Sequence, residues 1–205
     1  MEALSGVDIA LWDLIARSRN EPMATTLGAE PGPVSVYVSP IPFRNTPQET
    51  ASELREFVRQ GYTAFKLKVG RGVKIDLDHI EAARDAAGDA PLYLDANCAY
   101  DVGTAIELAK HLDRFDIGWL EEPINPDNPE ALRAVRQASP VPIGAGENEF
   151  TQEAYEYLSH AWFSLSSQAA FSVPPGDLGS QPRLANNSPS RNIALICRAS
   201  FFRAL

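Results

Sequence analysis

Cysteine is nearly absent from this chain. Of 205 residues only Cys98 and Cys197 are cysteines, and no CxxC spacing occurs. A disulfide framework and a zinc-ribbon site are therefore excluded, and a reducing compartment, the cytoplasm, is the default expectation. Uninterrupted apolar runs are missing too. The N-terminal stretch MEALSGVDIALWDLIAR has an apolar stripe broken by Glu2, Asp8 and Asp13. A secretory leader has a basic start and a continuous apolar centre, so none is read here. No run approaches the length needed to cross a bilayer. A glycine-rich phosphate loop is also lacking, because GAGENEF does not have the GxGxxG spacing. Basic charge is in deficit, with a formal net charge of −9. That argues against nucleic acid or an anionic membrane as a partner. The deficit is uneven: from Thr151 onward three acids face four arginines, so the negative charge resides in residues 1–150.

What the chain does contain is a repeat. Lys68 in FKLKVG, Asp95 in LYLDAN, Glu121 in WLEEP and Glu147 in GAGENEF follow one another at gaps of 27, 26 and 26 residues. Each closes a short apolar run, and each run is followed by a helix-like stretch. One strand, one helix and two loops need about that many residues. The pattern predicts consecutive βα units, each presenting a functional group at the C-terminal end of its strand, where parallel βα barrels build their active sites.

The spacing predicts strands at about 34–39, 64–69, 92–96, 117–121 and 141–146. The first helix opens on the capping box Thr46-Pro47-Gln48-Glu49 and stops at Gly61. Asp101, Asn128-Pro129 and Thr151 open later helices, the last running to about His160. Residues 1–20 read as a packing helix, with Leu4, Val7, Leu11 and Leu14 on one face. Residues 33–160 read as a partial (β/α) barrel. Residues 161–205, rich in Ser, Pro, Asn and Gln, read as an irregular tail. The fold class is thus α/β, an incomplete barrel of about five βα units.

Lys66 and Lys68 lie two apart on a strand and point to the same side, while Phe65, Leu67 and Val69 point to the other, toward helices. Two lysines facing a barrel interior are costly unless they meet anions. Asp95, Glu121 and Glu147 supply them, and are oxygen donors of the kind Mg²⁺ prefers, with Mn²⁺ as a substitute. A divalent ion lets three acids converge without raising their pKa values. The chemistry this predicts is removal of the α-proton of a small carboxylate substrate whose carboxylate is gripped by the metal. Lys68 is the candidate base, its pKa lowered by Lys66 and the metal. Asn97, two residues beyond Asp95, is a candidate to hydrogen-bond substrate or a metal-bound water. Glu122 is expected to face away from Glu121, and Cys98 to be a small packing residue. His79, His111 and His160 fall in helical stretches and receive no role.

Taken together and in this order, SGVDIALWDL, FKLKVG, LDAN, WLEEP and GAGEN resemble the mandelate racemase/muconate lactonizing enzyme family of the enolase superfamily, over about residues 2–155. The resemblance implies a βα barrel holding Mg²⁺ through Asp95, Glu121 and Glu147, with Lys66 and Lys68 contributing the base. It implies a Mg-dependent isomerase or lyase: a hydroxy-acid or sugar-acid dehydratase, a racemase or a cycloisomerase. Glutamate at position 147 looks more like the mandelate racemase and acid-sugar dehydratase side of the family. Two departures stand beside this. The family carries an N-terminal capping domain, and its barrel continues through three further units whose motifs are not matched after Thr151. The expectation is a truncated copy or gene-model artefact, inactive alone or dependent on a partner. Its exposed strand edges would be open to a second copy, and its uncovered inward faces would include Tyr37 and Ile143.

Overall fold

The computed structural model describes residues 2–32 and 36–147. The expected helix from Thr151 to His160 and the tail of 161–205 lie outside the described residues. Two helices, α1 (Glu2–Ser18) and α2 (Met23–Thr26), precede five parallel strands: β1 (Val38–Ile41), β2 (Phe65–Lys68), β3 (Leu92–Asp95), β4 (Ile117–Glu121) and β5 (Ile143–Gly144). Helices α3 (Pro47–Arg59), α4 (Val73–Ala87), α5 (Val102–Lys110) and α6 (Pro129–Ala138) make the crossovers. Spatial order equals chain order, β1-β2-β3-β4-β5. Sequential order with parallel pairing is the α/β arrangement that the repeat predicts. Among the described residues β1 and β5 remain sheet edges.

The local signals act as read. The Thr46 hydroxyl accepts from the Glu49 N–H, and the Glu49 carboxylate accepts from the Thr46 N–H, which fixes the start of α3. Asp101 and Asn128 cap α5 and α6 through their side-chain oxygens. The first strand, expected at about 34–39, runs over Val38–Ile41 among the described residues, with 33–35 outside them, and its register against β2 slips between Val38 and Ile41. Pro40 has no N–H to give the ladder, so pairing is interrupted there, as an edge strand tolerates.

The outer face of the sheet is the core. Phe65, Leu67, Leu92, Leu94, Leu120 and Ile143 are buried against Leu54, Ile80, Leu108 and Leu132 from the helices. Ile143 therefore belongs to the covered face, not to the open inward face where the strand alternation was expected to place it. It pairs with Leu120, whose side chain lies in the same core. Truncating one of these side chains leaves a cavity that a rigid sheet fills poorly. Leu94→Ala, in the central strand, is expected to lower unfolding free energy by about 2–5 kcal/mol in chemical denaturation.

Helix α1 forms where predicted, but its stripe is not covered. Leu4, Val7, Leu11 and Leu14 are each more than half exposed, so their periodicity produces an amphipathic helix without a partner for that face among the described residues. Amphipathic patterning specifies a helix and a face, not what lies against it. None of the described helices is long and apolar enough to cross a membrane.

One histidine left without a role has a structural one. His79 is buried in α4, and its Nδ1 lies 2.8 Å from the Thr50 hydroxyl of α3. Burial, and then the Arg71 charge, push His79 below its ordinary value of 6.5. A depressed folded pKa means that the unfolded chain takes up the proton first as the pH falls. His79 therefore stabilises the fold fully above about pH 6.5, and this contribution is lost as the pH falls from there through the folded pKa. Denaturation midpoints measured below pH 6.5 should decline less steeply in His79→Gln than in the wild type. Equal slopes would remove this account.

Candidate metal and proton-transfer site

The site is assembled by register. Lys68 pairs with Asp95, Asp95 pairs with Glu121, and Glu121 pairs with Gly144. Four strand ends are thus level, and Glu147 follows in the turn after β5. The Lys66 ammonium donates to Glu121 Oε2 at 2.7 Å and lies 3.1 Å from Asp95 Oδ2. Lys68 Nζ lies 2.7 Å from the same Asp95 oxygen and also hydrogen-bonds Asn97 Oδ1. Asn97 Nδ2 in turn donates to Glu147 Oε1 at 2.8 Å. One oxygen each from Asp95, Glu121 and Glu147 lies within 4.8 Å of the others. All six residues singled out in the sequence therefore converge.

Their environments differ. Lys66 is 6% exposed in its side chain and Lys68 is 20%. Burial alone would push Lys66 down, but the Glu121 and Asp95 carboxylates outweigh it, so its ammonium is held well above the ordinary lysine range. Burial also raises Glu121, and the Asp95 and Glu147 charges add to that against the opposing Lys66. Crowding of like charges in a poorly solvated place is the condition that a bound cation relieves.

Asn97 arrives by a route that strand alternation does not describe. β3 ends at Asp95, and Asn97 and Cys98 both take positive φ, of 42° and 61°. The turn, anchored by the Asn97 N–H to Asp95 Oδ1 at 3.1 Å, carries the carboxamide back to the lysine. Glu122 also has positive φ (41°) and is fully buried. Its carboxylate accepts from the Cys98 thiol, and its backbone ties the turn after β3 to the end of β5. Its carbonyl accepts from the Cys98 N–H at 2.7 Å, and its own N–H donates to Gly144 O at 2.8 Å. The Cys98 thiol, pushed up to about 12 by burial and by Glu122, stays protonated beside the Glu122 carboxylate.

Below the acids lies an aromatic layer that the sequence reading missed. Tyr93 stacks on Trp119 with ring centroids 3.5 Å apart, and Tyr37 meets both edge-on at 5.4 and 5.9 Å. The Lys66 ammonium sits 5.6 Å from the centre of the Tyr37 ring. The signal was available: Tyr93 and Trp119 each stand two residues before a site acid. Gly118 makes the stack possible, since a Cβ there would come within 2.5 Å of the Tyr93 ring.

Acids and lysines at the C-terminal ends of successive parallel strands define the active-site end of a βα-barrel type protein. Residues 49–161 match the family described as enolase C-terminal domain-like, and the chain belongs to it, within the mandelate racemase/muconate lactonizing enzyme branch of the enolase superfamily. It is 38% identical over 152 residues to D-galactarolactone cycloisomerase of Agrobacterium fabrum, a match covering 72% of this chain and 40% of that protein. It is 35% identical to L-talarate/galactarate dehydratase of Salmonella typhimurium, over 77% of this chain and 40% of that protein. A racemase from Streptomyces coelicolor, solved with bound magnesium, superposes with a TM-score of 0.73 at 34% identity, over 78% of this chain and 45% of that one. The chain thus spans about 40% of the length of these curated relatives.

Proposed function

We propose that this chain carries the metal-binding and base-bearing part of an enzyme that removes the α-proton of a hydroxy-acid or sugar-acid carboxylate. The observation that carries this reading is the unequal pair of lysines. Lys66 is pinned as an ammonium between Glu121 and Asp95, whereas Lys68 is more open and reaches Asn97 at the mouth of the site. The donor set is all oxygen, its three carboxylates are close together, and two lysine charges leave one negative charge over. This set fits Mg²⁺ or Mn²⁺. When bound, such a cation supplies fixed positive charge facing a substrate carboxylate.

The chain's own residues do the rest. Lys66 keeps its proton and holds Glu121 and Asp95 in place. Lys68, as the free amine, takes the α-proton and becomes an ammonium, and the electron pair left on carbon delocalises into the substrate carboxylate. Asn97 bridges Lys68 and Glu147 and aligns the amine. The carbanion equivalent then regains a proton or expels a β-substituent; relatives named racemases, dehydratases and cycloisomerases do chemistry of these kinds.

The test is deuterium uptake. When the chain is joined to the parts of a relative that it does not span and Mg²⁺ is present, galactarate and a panel of aldonates in D₂O are expected to gain deuterium at the α-carbon, followed by proton NMR, and to gain none with EDTA. Absence of uptake from every acid in the panel would remove the catalytic reading.

A further inference from the structure

Behind the site lies a buried polar tie that this chemistry does not use. Asp76, in the first turn of α4, is fully buried. Its Oδ2 accepts from the Tyr100 hydroxyl at 2.7 Å and from the Arg71 N–H at 2.9 Å. Arg71 stands in the loop after β2, just past Lys68, and Tyr100 stands in the loop after β3, just past Asn97. One carboxylate oxygen therefore joins the two loops that leave the catalytic strand ends. The loops also touch directly: Gly70 has φ +129°, and a Cβ there would lie 2.7 Å from the Ala99 Cβ. The Tyr100 N–H donates to Pro123 O at 3.1 Å, which ties in the loop after β4.

The tie is costly as a stabilising device. Asp76 Oδ1 is buried without a hydrogen-bond partner, and a buried carboxylate with an unmatched oxygen destabilises a fold. The Arg71 guanidinium is engaged elsewhere, donating to Arg44 O at 2.7 Å and lying 4.7 Å from the Phe43 ring centre. What the arrangement gives is direction. Two short hydrogen bonds on one oxygen fix the offset of one loop against the other. Burial and the Asp76 charge push the Tyr100 phenol well above its ordinary range, so it remains a donor.

We infer that Asp76 and Tyr100 are positioning residues, whose hydrogen bond sets the offset between the β2 and β3 loops and so holds the Asn97 carboxamide between Lys68 and Glu147. The kinetic part of this inference rests on the proposed function; its structural part does not. Both are read from Tyr100→Phe, which removes one hydroxyl. In the ¹⁵N-labelled full chain the side-chain amide signals of Asn97, assigned by their loss in Asn97→Ala, are expected to shift. α-Proton exchange is expected to fall about tenfold or more, the usual cost of losing an orienting partner, with the loss in kcat and not in KM. In an Asn97→Ala background the same substitution should add less than about twofold, because both changes act through one group. Asp76→Ala should reproduce the effect, and Asp76→Asn, which keeps an accepting oxygen, should largely restore it. Unmoved Asn97 signals in Tyr100→Phe, or fully additive losses in the double variant, would overturn the inference. If the wild type exchanges no α-proton, the proposed function fails and the Asn97 signals alone decide this one.

Discussion

In the chain joined to the parts of its relatives that it does not span, replacing Lys68 by alanine is expected to lower α-proton exchange by about a thousandfold, within the range that a positioned acid–base group contributes. The expectation rests on what separates Lys68 from Lys66. Lys66 donates a hydrogen bond to Glu121 and pairs with Asp95, and these two buried carboxylates hold it as an ammonium. A group so held cannot accept a proton. Lys68 shares only Asp95 with it, and reaches outward to Asn97. Lys68→Arg sharpens the test, because a guanidinium keeps the charge but does not deprotonate. Both variants should lose exchange while still binding Mn²⁺, since the three carboxylates are intact. Lys66→Ala should behave differently. It leaves Glu121 and Asp95 without their buried cation, so its main effects should be weaker substrate binding and a displaced pH profile. The measurement is deuterium uptake into the substrate, followed by NMR alongside Mn²⁺ titration of each variant. Wild-type exchange in Lys68→Ala would show that another group is the base.

These residues could be found in the sequence because barrel geometry writes them there. A side chain at the C-terminal end of each strand recurs with the length of a βα unit, so Lys68, Asp95, Glu121 and Glu147 stand out by spacing alone. Helix starts were equally legible, since Thr46, Asp101 and Asn128 cap through contacts only three residues long. What was not legible depended on breaks in periodicity or on distance along the chain. The register between β3 and β4 slips between Leu92 and Leu94, so alternation alone does not show that Gly118 meets the Tyr93 ring. Asp76 reads locally as an acid in a first helical turn, and its partner Tyr100 is 24 residues away. His79 finds Thr50 at a separation of 29. Such pairs exist only after the helices have packed. The exposed stripe of α1 marks a further limit, because periodicity shows that a face is apolar and says nothing about its occupant.

Glu121→Gln is expected to weaken Mg²⁺ and Mn²⁺ binding by about a hundredfold or more. Loss of a group that merely orients a ligand costs up to about a hundredfold, and here the ligand itself would lose its charge. Glutamine preserves the size of the side chain and an oxygen that can accept from Lys66, so the fold and the Lys66 contact have a substitute. What glutamine cannot replace is the negative charge. Glu121 is almost completely buried, and the Asp95 and Glu147 carboxylates stand close to it. With three acids the site carries one negative charge more than its two lysines cancel. With two acids the carboxylates only cancel the two lysines, and no negative charge is left over for a divalent ion. Calorimetric titration of the wild type, Glu121→Gln and the exposed control Glu81→Gln should therefore separate the proteins into binders and a non-binder, with the control among the binders. Thermal unfolding gives a second readout. Metal at about a hundred times its Kd stabilises the folded state by about 2.7 kcal/mol, and the resulting rise in Tm should vanish in Glu121→Gln alone. Equal affinity in all three proteins would mean that the converging carboxylates do not hold the metal.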